Sequence, residues 1–170
     1  AATGSAAAAA SVAGAATAIL KLEAELRKLR TETELLYFVA NELRHVTRAQ
    51  QVFVLSRAGS GRMTASAVSA VTNVDRSAPL VIWVERLLAA LGDRHGLAET
   101  REFEAGAFDI DIRFGDVAAG YPLRQLLWVP FLDLDGVPAG GMLMARTTPW
   151  TAAEIVVARH LAGAVSHASL

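Results

Sequence analysis

Two apolar runs separated by an Asp-Gly pair constrain the fold of this chain more than any other feature of its sequence. The first run extends from Gln125 to Leu134 and is rich in strand-forming residues, and the second extends from Val137 to Arg146. Asp135-Gly136 between them is a typical hairpin turn, because Asp and Gly tolerate the positive φ that such turns require. The sequence therefore predicts two antiparallel strands. Gly140 and Gly141 in the second run indicate a bulge or a close backbone approach.

A helix with a well-marked start follows this hairpin, from Ala152 to about Ala168. Thr151 occupies the N-cap position, and Glu154, three residues later, completes a capping box. Trp150 and Ile155 stand at the two positions of a hydrophobic staple. This pattern predicts a closing helix whose first turn is firmly anchored.

A second hairpin and a helix are predicted upstream. Gln51–Arg57 and Met63–Val71 have strand-like composition and flank a turn at Ala58–Gly61. Pro79–Leu91 is predicted as a helix, because proline is well tolerated in a first turn and the remaining apolar residues share one face. Gly92 is expected to end it.

The segment from Asp93 to Arg124 has a less regular pattern. Within it, Phe108–Phe114 alternates apolar and polar residues and is predicted as an edge strand, and the rest as loop or a short helix. Two hairpins that bracket a helical connection indicate an α+β fold. We expect an antiparallel sheet with helices packed on one face.

A long helix is predicted at the N-terminal side, from about Thr17 to Arg48, where no Gly or Pro occurs. Its apolar residues recur at alternating spacings of three and four, which is typical of a coiled-coil seam between two chains. The alternative is an amphipathic helix that packs on its own domain. The residues predicted to form a dimer interface are Ile19, Leu22, Leu26, Leu29 and Leu36.

Composition excludes several classes of function. The chain has 170 residues and a net charge of -1, so it offers no basic surface for nucleic acid. It contains no cysteine, which excludes disulfides, thiolate metal sites, thiol nucleophiles and thioether-linked chromophores. Residues 1–18 are almost entirely Ala, Gly, Ser and Thr, and we expect a flexible linker or tag rather than a signal peptide or a membrane span.

Candidate catalytic groups are sparse. No two of the four histidines have the spacing of a metal pair on one helical face, and no nucleophile elbow is present. Asp109 and Asp111 share one face of the predicted edge strand, where two carboxylates could hold a cation, but charges that prevent edge pairing are the favoured interpretation. We therefore expect no catalytic residue, no metal site, no cofactor and no enzyme activity.

Three aromatic residues, Trp83, Tyr121 and Trp128, are candidates for contact with a flat apolar ligand between sheet and helix. Arg113 and Arg124 stand near Tyr121 in the sequence and would suit an anionic group. The alternative is that these aromatic side chains are ordinary core residues.

The C-terminal half resembles a GAF domain. The resemblance rests on Leu127–Gly136, Pro138–Ala145 and Pro149–Ile155, which are a strand with a Val-Pro core, a Gly-rich strand, and an aromatic and acidic helix start. The helix and hairpin from Leu35 to Val71 also fit. The resemblance implies a sensory or regulatory domain; it carries over no binding-site residue, because neither a cyclic-nucleotide signature nor a bilin-binding cysteine is found.

A narrower resemblance concerns Glu34–Glu42 and Asp75–Pro79, which are similar to GAF-like regions ahead of bacterial secretion-adaptor segments. The expected organisation is a linker at 1–18, a coiled-coil-like extension at 19–34 and a GAF-like domain at 35–170. We expect a cytoplasmic, non-catalytic, homodimeric regulatory domain that binds a small molecule. The alternative is an assembly module with no ligand, and a filled interior would favour that alternative.

Overall fold

The computed structural model describes residues 13–21, 23, 32–71, 74–108, 110 and 115–168. In these residues five strands form a single antiparallel sheet flanked by helices, which confirms the predicted α+β class. The helices are α1 (Glu32–Thr47), α2 (Pro79–His95), α3 (Gly115–Gly120) and α4 (Ala152–Ala168). The strands are β1 (Gln51–Arg57), β2 (Met63–Val68), β3 (Arg101–Glu104), β4 (Gln125–Leu132) and β5 (Pro138–Arg146).

The strand order is β2-β1-β5-β4-β3, and every neighbouring pair is antiparallel. Both predicted hairpins are present, and β5 lies at the centre of the sheet. The β4–β5 register shifts between Phe131 and Leu132. A Cβ atom on Gly140 would lie 2.4 Å from the carbonyl oxygen of Leu55 on β1. The bulge and the close backbone approach predicted from the two glycines are therefore both confirmed.

Helices cover both faces of the sheet, which corrects the expectation of helices on one face. Alternate residues of the central strands enter two separate clusters, because those strands are apolar on both sides. The first core joins α1 and α4 to the sheet and includes Val39, Leu43, Val52, Val54, Leu127, Met142, Leu161 and Val165. The second core joins α2 and α3 to the sheet and includes Phe53, Leu55, Trp83, Leu87, Leu126, Trp128 and Leu143.

Helix α2 is one turn longer than predicted, and Gly92 does not end it. The helix continues to His95, and Gly96, with a φ of 77°, follows as the C-cap. The N–H of Gly96 donates to the carbonyl oxygen of Gly92 at 2.9 Å. A Cβ atom on Gly92 would lie 3.3 Å from Leu97, so this glycine makes room for the chain to fold back over the helix end.

Strand β3 forms one edge of the sheet. Of the predicted edge strand Phe108–Phe114, only Phe108 and Ile110 are described; neither belongs to a strand, and both are partly buried against the second core, with the ring centroids of Phe103 and Phe108 5.7 Å apart. For the rest of that segment the strand stays a prediction. Residues 109 and 111–114, and with them Asp109 and Asp111, lie outside the described residues.

The start of α4 has the predicted geometry. The N–H of Thr151 donates to Oε1 of Glu154 at 3.0 Å, and the N–H of Glu154 donates to Oγ1 of Thr151 at 3.2 Å. Trp150 is buried in the first core and Ile155 packs against it. The capping box is therefore confirmed, and both residues of the predicted staple lie at the first core.

The N-terminal side is helical at residues 13–21, which includes part of the range predicted as a linker; its alanines favour a helix. Ala15 is buried, and Ile19 packs against the first core of its own chain. Most of the span between this segment and α1 lies outside the described residues, so the continuous helix stays a prediction. None of the described helices combines the length and apolarity needed to cross a membrane.

Candidate functional site

The three aromatic residues singled out in the sequence meet in the second core, between the sheet and α2. Trp83 and Trp128 are both 0% exposed, and Tyr121, just after α3, is 8% exposed. The ring centroids of Trp83 and Tyr121 are 5.4 Å apart at an interplanar angle of 60°. The space in which a ligand was expected to lie therefore contains the side chains themselves.

The Trp128 side chain is fully buried in the second core, and two contacts hold its ring. Its Nε1 donates to the carbonyl oxygen of Leu97 at 3.0 Å, which ties β4 to the segment after α2. Its ring lies over Gly141 of the neighbouring strand, since a Cβ atom there would be 2.3 Å from Cη2 and 2.6 Å from Cζ2. Gly141 therefore creates the room that the indole fills.

Tyr121 closes the second core at one side. Its hydroxyl donates to Oε1 of Gln51 on β1. Burial raises the pKa of Tyr121 above its usual value of 10, because the charged phenolate would lose its hydration. The phenol is therefore neutral at physiological pH and acts as a hydrogen-bond donor rather than as a base.

Trp83 differs from the other two aromatic side chains in one respect. Its indole Nε1 is buried and has no hydrogen-bond partner among the described residues. A buried donor without a partner costs about 1–3 kcal/mol. This atom is thus the one polar group we find in the described second core with capacity to bind an acceptor.

The two arginines considered as partners for an anionic group have different outcomes. Arg113 lies outside the described residues, so its role stays a prediction. Arg124 is engaged: its Nη2 lies 2.8 Å from Oε1 of Glu104, and its Nη1 donates to the carbonyl oxygen of Ala118. These contacts tie α3 to β3 and occupy the guanidinium.

The predicted dimer residues divide between described and undescribed parts of the chain. Ile19 and Leu36 are partly buried against the first core of their own chain. Leu22, Leu26 and Leu29 lie outside the described residues, so their part in a seam between two chains stays a prediction.

One arrangement that the sequence analysis missed joins β5 to α4. Arg146 is buried and forms a two-pronged ion pair with Glu154, with Nη2 to Oε1 at 2.6 Å. The guanidinium also donates to the carbonyl oxygen of Thr148 and lies 3.9 Å from the ring centroid of Trp150. Chiefly because of Arg146, the pKa of Glu154 falls from 4.5 to about 2. The partners are eight residues apart across a turn, and no helix or strand period signals such a pair.

Groups that would indicate chemistry are not assembled in the part of the chain that is described. No cluster of three His, Asp or Glu residues there could hold a metal ion.

The sequence analysis also missed a surface groove between α4 and β4, lined by Val129, Pro130, Leu134, Val156 and Arg159 among others. The exposed leucine between two aspartates, Asp133-Leu134-Asp135, was a possible signal for it.

Comparison with known proteins identifies the fold. The sequence matches no protein-family model and no curated protein. The GAF domain of a protein described as a sensor histidine kinase from Pseudomonas syringae pv. tomato aligns with a TM-score of 0.61 at 15% identity, over 94% of this chain and 89% of that domain. The phycocyanobilin-bound GAF domain of a cyanobacterial phytochrome aligns with a TM-score of 0.62 at 9% identity, over 91% and 93%.

A longer protein shows the same fold as one part of its chain. A bacteriophytochrome from R. palustris aligns with a TM-score of 0.60 at 11% identity, covering 90% of this chain and 36% of the phytochrome. The chain thus has the fold of GAF domains, which confirms the resemblance noted in its sequence. At these identities the likeness concerns the fold alone.

Proposed function

We propose that this chain is a non-catalytic regulatory domain in which two copies associate through their helices, and that it acts without enclosing a large ligand. The observation that carries the proposal is the second core, where Trp83, Tyr121 and Trp128 are all buried and Trp83 packs on Tyr121. A flat ligand would need the volume that these side chains occupy. The three aromatic residues predicted as ligand contacts are thus assigned a packing role.

Association of two copies has independent support in the sequence and in the exposed surface. The heptad spacing of Leu22, Leu26 and Leu29 is that of a two-helix seam, whereas Ile19 and Leu36 on either side of them pack on the first core of their own chain. Helix α4 is apolar on most sides, and Val156 on its outer side is 47% exposed. On the resemblance of Glu34–Glu42 and Asp75–Pro79, we further propose a cytoplasmic location within a larger secretion-linked protein.

A thermal-shift screen against nucleotides, bilins and metabolites tests the filled core, with Trp128→Ala as the comparison. We expect no stabilisation of the wild type, because buried aromatic side chains occupy the second core. The variant should lose about 3–5 kcal/mol and should regain part of it with indole, which fits the space left behind. Trp128→Phe provides a milder cavity if the alanine variant does not fold. A compound that stabilises the wild type by several degrees and fails with the variants would overturn the proposal.

A second candidate function is binding of a small acceptor-bearing ligand at Trp83. The observation in its favour is the buried indole N–H that has no partner among the described residues. Trp83→Phe removes this donor and keeps most of the ring volume. If a ligand accepts from Nε1, its stabilising effect should disappear in Trp83→Phe. If no ligand is involved, the variant should lose little stability, since it removes an unsatisfied polar group.

A further inference from the structure

The groove between α4 and the outer end of β4 is a surface separate from the filled core. Strand β3 pairs with β4 along Gln125–Trp128 and ends there, so the next residues of β4 lie beside a cleft of about 860 Å³. Val129 and Pro130 line its strand side and Ile155 and Val156 its helix side. Pro130 has no N–H to offer an added strand. The cleft therefore suits an inserted side chain better than an inserted β-strand.

A leucine stands on the rim of the same groove. Leu134, in the turn between β4 and β5, is 90% exposed. The turn is well structured, because Oδ1 of Asp133 accepts hydrogen bonds from the N–H groups of Asp135 and Val137, both at 2.9 Å. An apolar side chain held outward on an ordered turn gains free energy when another surface covers it.

The helix wall of the groove carries charges opposite to those beside the leucine. Leu134 is flanked by Asp133 and Asp135, whereas α4 presents Arg159 and His160, both exposed, beside Val156; the acidic lining residues, Glu99 and Asp133, lie outside α4. A leucine that enters the groove can therefore bring Asp135 to the basic groups of α4. Such a pairing favours one relative orientation of two surfaces.

The occupant that fits this groove is a second copy of the chain. Both the leucine and the groove belong to every copy, and they are adjacent. A two-fold axis near the rim would therefore place each Leu134 over the partner's groove, which is the self-complementary arrangement of a symmetric dimer.

We propose that Leu134 of each copy inserts between α4 and β4 of the other, with Asp135 near Arg159 of the partner. This inference rests on the proposed function, because it assumes two associated copies. It adds a contact between the two folded domains to the proposed contact between the N-terminal helices.

Site-directed cross-linking tests the contact. The chain contains no cysteine, so each single variant carries one thiol. Leu134→Cys on a tagged chain is mixed with Val156→Cys on an untagged chain under mild oxidation. The matched control replaces Val156→Cys with Val71→Cys, because Val71 is also part-exposed, at 39%, and does not line the groove. We expect cross-linking between positions 134 and 156 to be at least tenfold faster than in the control.

The outcomes separate this inference from the proposed function. Equal cross-linking rates in a protein that sediments as a dimer would overturn the groove contact and leave association through the helices standing. A wild-type monomer would overturn both. If the protein is a monomer and the Val156→Cys thiol is still protected from alkylation, then a segment of the same chain covers the groove. That result would also overturn the inference.

Discussion

The contact between Gly141 and Trp128 leads to the sharpest prediction about the filled core. In Gly141→Ala the new Cβ atom would lie 2.3 Å from Cη2 of Trp128 and 2.8 Å from the carbonyl oxygen of Val129. Carbon atoms pack at about 3.5–4.0 Å, so the indole would have to move by more than about 1 Å. The ring is fully buried and hydrogen-bonded to the carbonyl oxygen of Leu97, so it cannot move without breaking that bond or displacing its neighbours.

The cost of this substitution follows from packing. Overpacking of a core costs about 1–3 kcal/mol, and the stiffer unfolded chain of the alanine variant returns about 0.5–1 kcal/mol. We therefore expect Gly141→Ala to lose about 1–2 kcal/mol, which is about 2–8 °C in Tm for a domain of this size. Urea titration followed by tryptophan fluorescence measures the change.

Two comparison variants make this prediction specific. Gly59→Ala changes a glycine with nothing within 4 Å of its Cβ position, and it should be neutral or slightly stabilising. In Gly141→Ala combined with Trp128→Phe, the smaller ring should relieve the clash, and the double-mutant cycle should show a coupling above about 1 kcal/mol. A Gly141→Ala protein as stable as the wild type, or a coupling near zero, would refute the packing of the indole over Gly141.

Three further predictions concern the helix joints and the sheet edge. Arg146 holds the carboxylate of Glu154 charged, so the wild type should lose up to about 3 kcal/mol of its free energy of unfolding as the pH falls from 4.5 towards 2. Glu154→Gln should be less stable at neutral pH and should lack this acid dependence. Urea titrations of both proteins across the acid range measure the difference. Thr151→Ala should cost about 1 kcal/mol, read from the Tm, by removing the N-cap of α4. Glu85 accepts a hydrogen bond from the N–H of Ala65 at 3.0 Å, so Glu85→Ala should speed hydrogen exchange at that amide of the edge strand β2; an unchanged rate would contradict this role.

Elements with local signals were predicted correctly from the sequence. The Asp135-Gly136 turn and its two apolar runs defined β4 and β5, and the Thr151–Glu154 pair defined the start of α4. Gly140 and Gly141 correctly indicated a close backbone approach. In each case the signal lies in residues within a few positions of one another, so a local sequence pattern was enough to predict the local geometry.

Features that depend on distant residues were not predictable in this way. The runs in β1 and β4 are apolar on both faces, but sequence alternation did not reveal that α2 covers the second face. Phe108 belongs to a run with the alternation of a strand, yet it packs on Phe103 of β3 and lies outside the strands that the structure describes. Trp83, Tyr121 and Trp128 all lie in the second core, but the room that Gly141 of the neighbouring strand leaves for the Trp128 indole had no local signal in the sequence.

Association of two ligand-free copies is the central claim of this account, and sedimentation equilibrium tests it most directly. The purified wild-type protein, with no ligand added, should sediment at twice the 17.9 kDa mass of one chain. Leu22→Glu combined with Leu29→Glu should shift it towards the single-chain mass while circular dichroism shows that the domain stays folded. A wild-type protein that remains at 17.9 kDa at micromolar concentrations and above would contradict the claim.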